Sequence, residues 1–207
     1  MGHRYQHLVF GKNALARQRE VGSIVAYGDG LAEPDTGPQP VGSREISLLT
    51  SVFQFHMATV TPEGWPYVQY RSGPSGFLHH LGGNRFGFPE FHGNQQFVSI
   101  GNIESDGKVA LFVADYPKKT RIKVFGRAHV HEPDDDPKLF DQLRHIGGAE
   151  IATRCERGIT IEVEAFDWNC SRSLIPQYTA QEVRDRVQPY IDEIAAMQAR
   201  IDELTAR

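Results

Sequence analysis

The chain has 207 residues, of which 40% are apolar and 23% charged, so it has the composition of a globular protein with a core rather than of a disordered chain. Its formal charge of −4 gives no general attraction for polyphosphate, which argues against a nucleic-acid partner. No apolar run reaches the roughly 20 residues of a membrane span, no signal sequence begins the chain, and two cysteines cannot build a disulfide framework. These features predict a cytoplasmic protein that does not enter the membrane.

Two helices and a long connection are predicted for the first fifty residues. Residues 13–20, followed by Gly22, have the pattern of a short helix with a glycine stop. Residues 28–42 carry closely spaced glycine, proline and aspartate pairs, which favour a surface connection. Ser43 is expected to cap a second helix. One face of that helix would carry Ile46, Leu49 and Phe53.

From about residue 55 the pattern changes to short strands, in which apolar residues alternate with polar ones. Turn-forming residues at 61–64 and 82–84 separate two pairs of these strands and predict hairpins. The predicted strands cover residues 55–59, 65–70, 77–81, 85–88, 108–114, 121–130 and 159–165. Six or more short antiparallel strands predict a β-barrel.

Two helices are expected to interrupt the strands. One opens at Gly93-Asn94 and places Phe97, Ile100 and Ile103 at helical spacing. The other begins at Asp136-Pro137 and runs to Gly147.

The C-terminal region predicts a long amphipathic helix. Residues 179–182 form a capping box, and Pro189 is expected to restart the helix at its own first turn. An apolar stripe follows alternating spacings of three and four residues through Val187, Tyr190, Ile194, Met197, Ile201 and Leu204. Two interpretations remain open for this stripe: it docks on its own barrel, or it also packs across a dimer interface.

Several common chemistries are not supported. The sequence has neither a phosphate loop nor the glycine fingerprint of dinucleotide-binding folds. Residues 72–76 lack the Gly-x-Ser-x-Gly spacing of a serine hydrolase. The histidine pairs at 79–80 and 129–131 lie on predicted strands without nearby ligands at metal-binding spacing, so solvated histidines are favoured over a metal site.

Three runs could together hold an anionic ligand. Residues 71–76 place an arginine and a glycine-rich segment at the end of a strand, where they could approach a planar ligand; the alternative is a bulged strand end. Residues 88–96 lead from a strand into a helix, whose N-terminus could receive a phosphate unless Asn94 is only a cap. Arg121 and Lys123 share one strand face, which on its own is typical of a solvated surface.

The order of these motifs resembles the FMN-binding split-barrel family, and most of all its predicted flavin-nucleotide-binding proteins related to pyridoxamine 5'-phosphate oxidase. The resemblance extends from about residue 53 to residue 179. The segments that carry it are residues 55–60, 64–69, 71–74, 93–96, 99–102, 126–128, 166–170 and 175–179.

This resemblance implies a mainly β fold with flanking helices, namely a six-stranded antiparallel split β-barrel. It also implies a homodimer that binds FMN in grooves at the subunit interface. The whole chain would be one domain, with an N-terminal extension at residues 1–42, the barrel at 43–170 and a C-terminal helical segment at 171–207.

The resemblance also implies roles for particular residues. The strand from Gln69 to Ser72 would border the ring and phosphate of FMN, and Glu90 would lie near the polar edge of the ring. The side chains of residues 94–96 would receive the phosphate. Arg121 and Lys123 would reach the flavin, and either one is a candidate cation to stabilise its reduced form. Trp168 and Asn169 would close the site from the partner subunit. The full set implied to contact FMN is Gln69, Tyr70, Arg71, Ser72, Glu90, Asn94, Gln95, Gln96, Arg121, Lys123, Trp168 and Asn169.

Two departures from the oxidase pattern narrow the expected function. Gln95 and Gln96 stand where the oxidase has basic side chains, so phosphate binding would depend on Arg71, Arg121 and backbone amides. The chain also ends in helices instead of the substrate-binding pattern of the oxidase, which argues against a vitamin B6 oxidase. A flavin-dependent oxidoreductase acting on an unidentified small molecule is predicted, with an electron donor also unidentified. The alternative is a non-catalytic module that binds or stores flavin, deazaflavin or haem on the same fold.

Overall fold

The structure is a computed structural model that describes residues 3–206, so residues 1, 2 and 207 of the predicted terminal extensions lie outside the described residues. Its helices are α1 (His3–Val9), α2 (Lys12–Glu20), α3 (Ile24–Tyr27), α4 (Ser43–Ser51), α5 (Val98–Asp106), α6 (Pro137–Leu143) and α7 (Ala180–Thr205). Its strands are β1 (Gln54–Val60), β2 (Pro66–Ser72), β3 (His79–Gly82), β4 (Arg85–Phe91), β5 (Lys108–Asp115), β6 (Thr120–His131), β7 (His145–Ile146), β8 (Ala149–Glu150) and β9 (Cys155–Asn169).

Seven strands form one antiparallel sheet in the order β2-β1-β5-β6-β9-β4-β3, and β7 and β8 form a separate hairpin. The sheet curls into a barrel and so brings its two ends together: Arg71 on the edge strand β2 forms an ion pair with Glu90 on β4, second from the opposite edge. This architecture confirms the predicted fold class. The sheet has seven strands instead of the six expected, with the four-residue strand β3 at one edge.

The barrel core is formed by the inward-facing residues of the strands. On β1, Phe55, Met57 and Thr59 are buried, as the alternation in the sequence predicts. The ring of Phe55 stacks on Phe77 at a centroid distance of 5.6 Å and meets Phe88 edge-on at 5.2 Å. This aromatic cluster packs the two ends of the curled sheet against each other.

Strand β6 bends at Gly126, where the register with β9 shifts. A Cβ atom at this position would lie 2.5 Å from the carbonyl oxygen of Glu162 on β9. The close approach of the two backbones therefore requires glycine.

Helices cover the barrel on several sides. The N-terminal helix α1 docks on β9 through Arg4, which forms ion pairs with Asp35 and Glu164. Helix α4 buries Leu48 and Leu49 against the core.

Several predicted helix boundaries were wrong. The N-cap of α4 is Gly42, whose amide donates to the Glu45 carboxylate at 3.0 Å, so Ser43 is the first helical residue. Helix α5 begins only at Val98, because residues 93–97 form a turn in which the Asn94 side chain accepts a bond from the Gln96 amide. Helix α6 ends at Leu143, and the residues that follow enter the β7–β8 hairpin.

Helix α7 has the predicted capping box, in which the Thr179 side chain accepts from the Glu182 amide and the Glu182 carboxylate accepts from the Thr179 amide. The prediction that Pro189 restarts the helix was wrong, because α7 continues through it without a break. Proline costs one intrahelical hydrogen bond, and the good helix formers on both sides offset this loss.

Candidate cofactor-binding site

A cleft of about 210 Å³ lies where β2, the end of β4, the start of β9 and the turn before α5 meet. Alternate residues of β2 point into it, which brings Tyr67, Gln69 and Arg71 to the cleft. Tyr70 and Ser72 lie on the other face of the strand, where the Tyr70 hydroxyl donates to Gln54 at 2.7 Å. The cleft therefore contains these predicted residues: Gln69, Arg71, Glu90, Asn94, Gln95 and Gln96.

Arg71 is the central cation of this cleft. Its Nη1 donates to the Glu90 carboxylate at 2.5 Å, and the two side chains are only 11% and 14% exposed. Its Nε and Nη2 are buried and have no hydrogen-bond partner within the part of the chain that the structure describes. Buried donors without a partner cost free energy, so Arg71 gives the cleft two unsatisfied donors.

The turn before α5 forms the second wall of the cleft. Gln95 and Phe97 have positive φ angles of 58° and 53°, a backbone conformation that such residues rarely adopt. Strained turns of this kind are concentrated at ligand sites. The turn leads directly into the N-terminus of α5, whose first amides have no intrahelical partners and favour an anion.

Gln69 and Ser99 hold α5 against β2. The buried Ser99 hydroxyl donates to the side-chain Oε1 of Gln69 at 2.6 Å. One turn further along α5, the Asn102 amide donates to the Thr59 hydroxyl on β1 at 2.8 Å. These two bonds fix the helix N-terminus beside Arg71.

Two charged residues of the cleft, Arg157 and Glu156, were missed by sequence analysis. Arg157 lies opposite Glu90 across the β4–β9 ladder, 2.9 Å from Glu132 and with its guanidinium 5.3 Å from the centre of the Phe97 ring. Glu156 lies beside it, and the hydrogen bond from His92 holds the pKa of this carboxyl below its usual range. No motif marks residues 155–158 in the sequence, since only the pairing of β4 with β9 brings them to the cleft.

The remaining predicted residues lie elsewhere on the same chain, on β6 and the end of β9. Arg121 pairs with Asn169 across these strands, and its Nε is buried without a partner among the described residues. Trp168 donates from Nε1 to Glu45 at 2.7 Å, and the Arg44 guanidinium lies 3.9 Å above its ring. The predicted set is thus divided into two groups, because β6 is three strands away from β2 in the sheet.

Lys123 lines a second cavity, of about 420 Å³, between the N-terminal helices and the sheet. Its Nζ donates to the Tyr5 hydroxyl at 2.8 Å and lies 3.4 Å from Asp167. Burial lowers the pKa of Lys123, but the bond to Tyr5 and the nearby carboxylate outweigh this effect and raise it above the usual value. Lys123 therefore remains charged at neutral pH.

A larger cavity of about 560 Å³ lies between α4, the β5–β6 turn and the start of α7. In its lining, Lys118 and Asp115 form an ion pair at 2.7 Å and the Glu182 carboxylate accepts from the Thr179 amide, so no buried polar atom of the described lining lacks a partner. Size alone does not make it the better candidate site, because its described lining has no unpaired buried donor, whereas the Arg71 cleft has two.

Within residues 3–206, no three histidine, cysteine, aspartate or glutamate side chains come together as a metal ion requires. Among the helices described, none is both long and apolar enough to cross a bilayer.

A family model described as pyridoxamine 5'-phosphate oxidase matches residues 47–204 of the chain. No curated protein matches its sequence. Among solved structures, a putative pyridoxamine 5'-phosphate oxidase from Lactobacillus delbrueckii is 23% identical, with 61% of this chain and 93% of that chain covered and a TM-score of 0.46. An F420 reductase is also 23% identical, covering 61% and 98% with a TM-score of 0.42. An FMN-binding protein from Syntrophomonas wolfei is 12% identical, covering 73% and 97% with a TM-score of 0.45.

Proposed function

The chain belongs to the pyridoxamine 5'-phosphate oxidase family, and we propose that it is an FMN-binding flavoprotein that works as a flavin-dependent oxidoreductase on a small molecule. The observation that carries this proposal is the pair of buried, unpartnered donors on Arg71, Nε and Nη2. They lie in a cleft whose other wall is the N-terminus of α5. This combination suits a phosphate or the polar edge of a flavin ring.

The unpaired hydrogen-bond donors of the cleft suit the phosphate ester of FMN. Glu90 neutralises Arg71 through Nη1 alone, which leaves the other two donors for the ligand. Arg157 is paired with Glu132 and Glu156, so the further donors come from the amides of the α5 N-terminus and of the 93–97 turn. These groups replace the basic side chains that Gln95 and Gln96 do not provide.

The size of the cleft supports a site shared between two copies of the chain. Its volume of about 210 Å³ is smaller than the roughly 300–1,000 Å³ of typical ligand pockets. In a homodimer, the partner subunit would supply the second group of predicted residues, which includes the unpartnered Arg121.

The whole chain would act as one domain, in which residues 1–42 and 171–207 extend the barrel of residues 43–170.

Bound FMN would supply the electron transfer, and the protein would bind and orient it. Arg71 would anchor the cofactor, with Glu90 fixing the guanidinium in place. The hydrogen bond between Ser99 and the Gln69 side chain would keep β2 and α5 at a fixed distance on either side of the cofactor. None of these roles requires a side chain to act as a general acid or base.

The test is a titration of FMN into the cofactor-free protein, followed by the quenching of flavin fluorescence. Arg71→Lys keeps a charge opposite Glu90 but removes the planar fork of donors, so we expect FMN affinity to fall about 10- to 100-fold, or about 1–3 kcal/mol. Arg172→Lys is the matched control, because Arg172 is exposed and lies outside the cleft. Equal affinities for the two variants would remove Arg71 from the site.

Reduction of the loaded protein by NADH or NADPH tests the catalytic part of the proposal. Bleaching of the visible flavin absorption by either donor supports an oxidoreductase. A protein that retains flavin but responds to no donor is instead the non-catalytic module, and one that takes up haem or a deazaflavin in preference to FMN contradicts the cofactor assignment.

A further inference from the structure

Helix α7 presents an apolar stripe that its own chain does not cover. The helix has 26 residues, and none of them is buried. The side chains of the stripe are between 44% and 67% exposed. They are Val183, Val187, Tyr190, Ile194, Met197, Ile201 and Leu204. Docking on its own barrel is therefore not what the structure shows, and a stripe of this length needs a partner.

The spacing of the stripe indicates what kind of partner it fits. The intervals alternate strictly between four and three residues, which is the repeat of a two-helix seam. Apolar residues that dock on a globular surface form a wider face, whereas here Ile191 is the one large apolar residue beside the seam. The narrow stripe thus fits another helix better than the curved side of a barrel.

The residue types in the seam favour two parallel strands. Heptad position a is β-branched in the last three repeats, where position d carries longer side chains, while the first repeat has Ala180 at position a. Position a is occupied by Val187, Ile194 and Ile201, and position d by Val183, Tyr190, Met197 and Leu204. In a parallel pair, each residue at a or d lies opposite the same residue of the second helix. Because these residues are all apolar, the seam is complementary to a second copy of itself.

We propose that α7 forms a parallel, two-stranded coiled coil with α7 of a second copy of this chain. The seam would extend for about 32 Å at 1.5 Å per residue. This contact does not involve the cleft at Arg71, so it stands or falls separately from flavin binding.

The charges beside the seam are compatible with a parallel pair. In that arrangement each g residue faces the e residue five positions further along the partner helix. Arg186 then faces Ile191, Glu193 faces Gln198, and Arg200 faces Thr205, so no like charges oppose each other. Most acidic side chains of α7 lie on the outer face, which also disfavours an anionic membrane surface as the occupant.

Pro189 does not interrupt the seam. It occupies heptad position c, on the side of the helix that faces solvent. The carbonyl group that loses its hydrogen bond belongs to Asp185 at position f, where water can replace the missing donor.

Cysteine crosslinking tests the proposal directly in the full chain. In a background with Cys155→Ser and Cys170→Ser, Val187→Cys and Leu204→Cys each place a thiol in the seam, at positions a and d. Ala199→Cys places one at position f on the outer face and is the matched control. Under mild oxidation we expect both seam cysteines to form crosslinked dimers about a hundred-fold faster than the control, because pairing raises their local concentration.

A second change separates specific pairing from random collision. Met197→Glu, added to the Leu204→Cys chain, should abolish the crosslink, and Ala199→Glu should leave it unchanged, with circular dichroism confirming that both chains are folded. Crosslinking at position 187 but not at 204, or equal rates for seam and control cysteines, would overturn the proposal. These results do not depend on FMN, so an unsuccessful flavin titration would leave them unaffected.

Discussion

Gly126 shows how one residue shapes the strand that carries Arg121 and Lys123. The backbones of β6 and β9 approach so closely there that an added methyl group would meet the Glu162 carbonyl oxygen at 2.5 Å and an Ile161 methyl carbon at 2.9 Å. Because the nearer contact is main chain within a paired ladder, it cannot move aside without breaking strand hydrogen bonds.

Gly126→Ala should therefore destabilise the protein by about 1–3 kcal/mol, measured by urea unfolding. Gly101→Ala is the matched control, since Gly101 lies within α5 and has no atom near the position of the added methyl group. There the same substitution should stabilise the protein by about 0.5–1 kcal/mol, because alanine favours a helix. Equal effects at the two sites would contradict the close packing at the β6 bend.

At the scale of elements, the ion pairs of Arg4 attach helix α1 to β9. The hydrogen bond from Arg4 is the main cause that lowers the pKa of Glu164 below its usual 4.5, and Arg127 adds to it at 2.9 Å. A carboxyl whose pKa falls on folding stabilises the protein above its unfolded-state pKa, and this stabilisation is lost as pH falls through the folded-state value.

Glu164→Gln should lower the thermal unfolding temperature at pH 7. The difference in this temperature from the wild type should shrink as pH falls below 4.5 and through the lowered pKa of the folded wild-type carboxyl, which then also becomes neutral. Differential scanning calorimetry across this pH range measures the effect. The exposed Glu63, in the turn between β1 and β2, provides the control variant Glu63→Gln, which should change little at any pH. A difference that stays constant with pH would show that Arg4 does not attach α1 in this way.

The elements also show where sequence patterns are reliable. Period-two alternation located β1 and β6 closely, because each has one face in the core. Helix starts were less accurate: the turn at Gln95 and Phe97 uses positive φ angles without glycine, which no propensity predicts, so α5 begins four residues later than Asn94 suggests. The prediction that Pro189 restarts the helix was wrong for a related reason. Local sequence rules treat proline as a helix boundary, whereas the helix-forming residues around it allow α7 to continue.

At the scale of the whole molecule, the candidate site could be predicted only in part. Residues close in sequence, such as Asn94 and Gln96, were found together because one turn carries them. Arg157 was missed because its place opposite Glu90 depends on strand pairing over a long sequence separation. Arg121 was correctly recognised as a strand cation, but sequence gives no information on its distance from Arg71 within one chain.

The proposal that two copies of the chain build one flavin groove is tested most directly by sedimentation velocity of the FMN-loaded protein, recorded at the visible absorption of flavin. We predict that the bound flavin sediments with a species of twice the chain mass, because each cleft at Arg71 would be completed by the partner's β6 and β9 residues. Flavin that sediments with a single chain, or that does not sediment with the protein at all, would contradict the account.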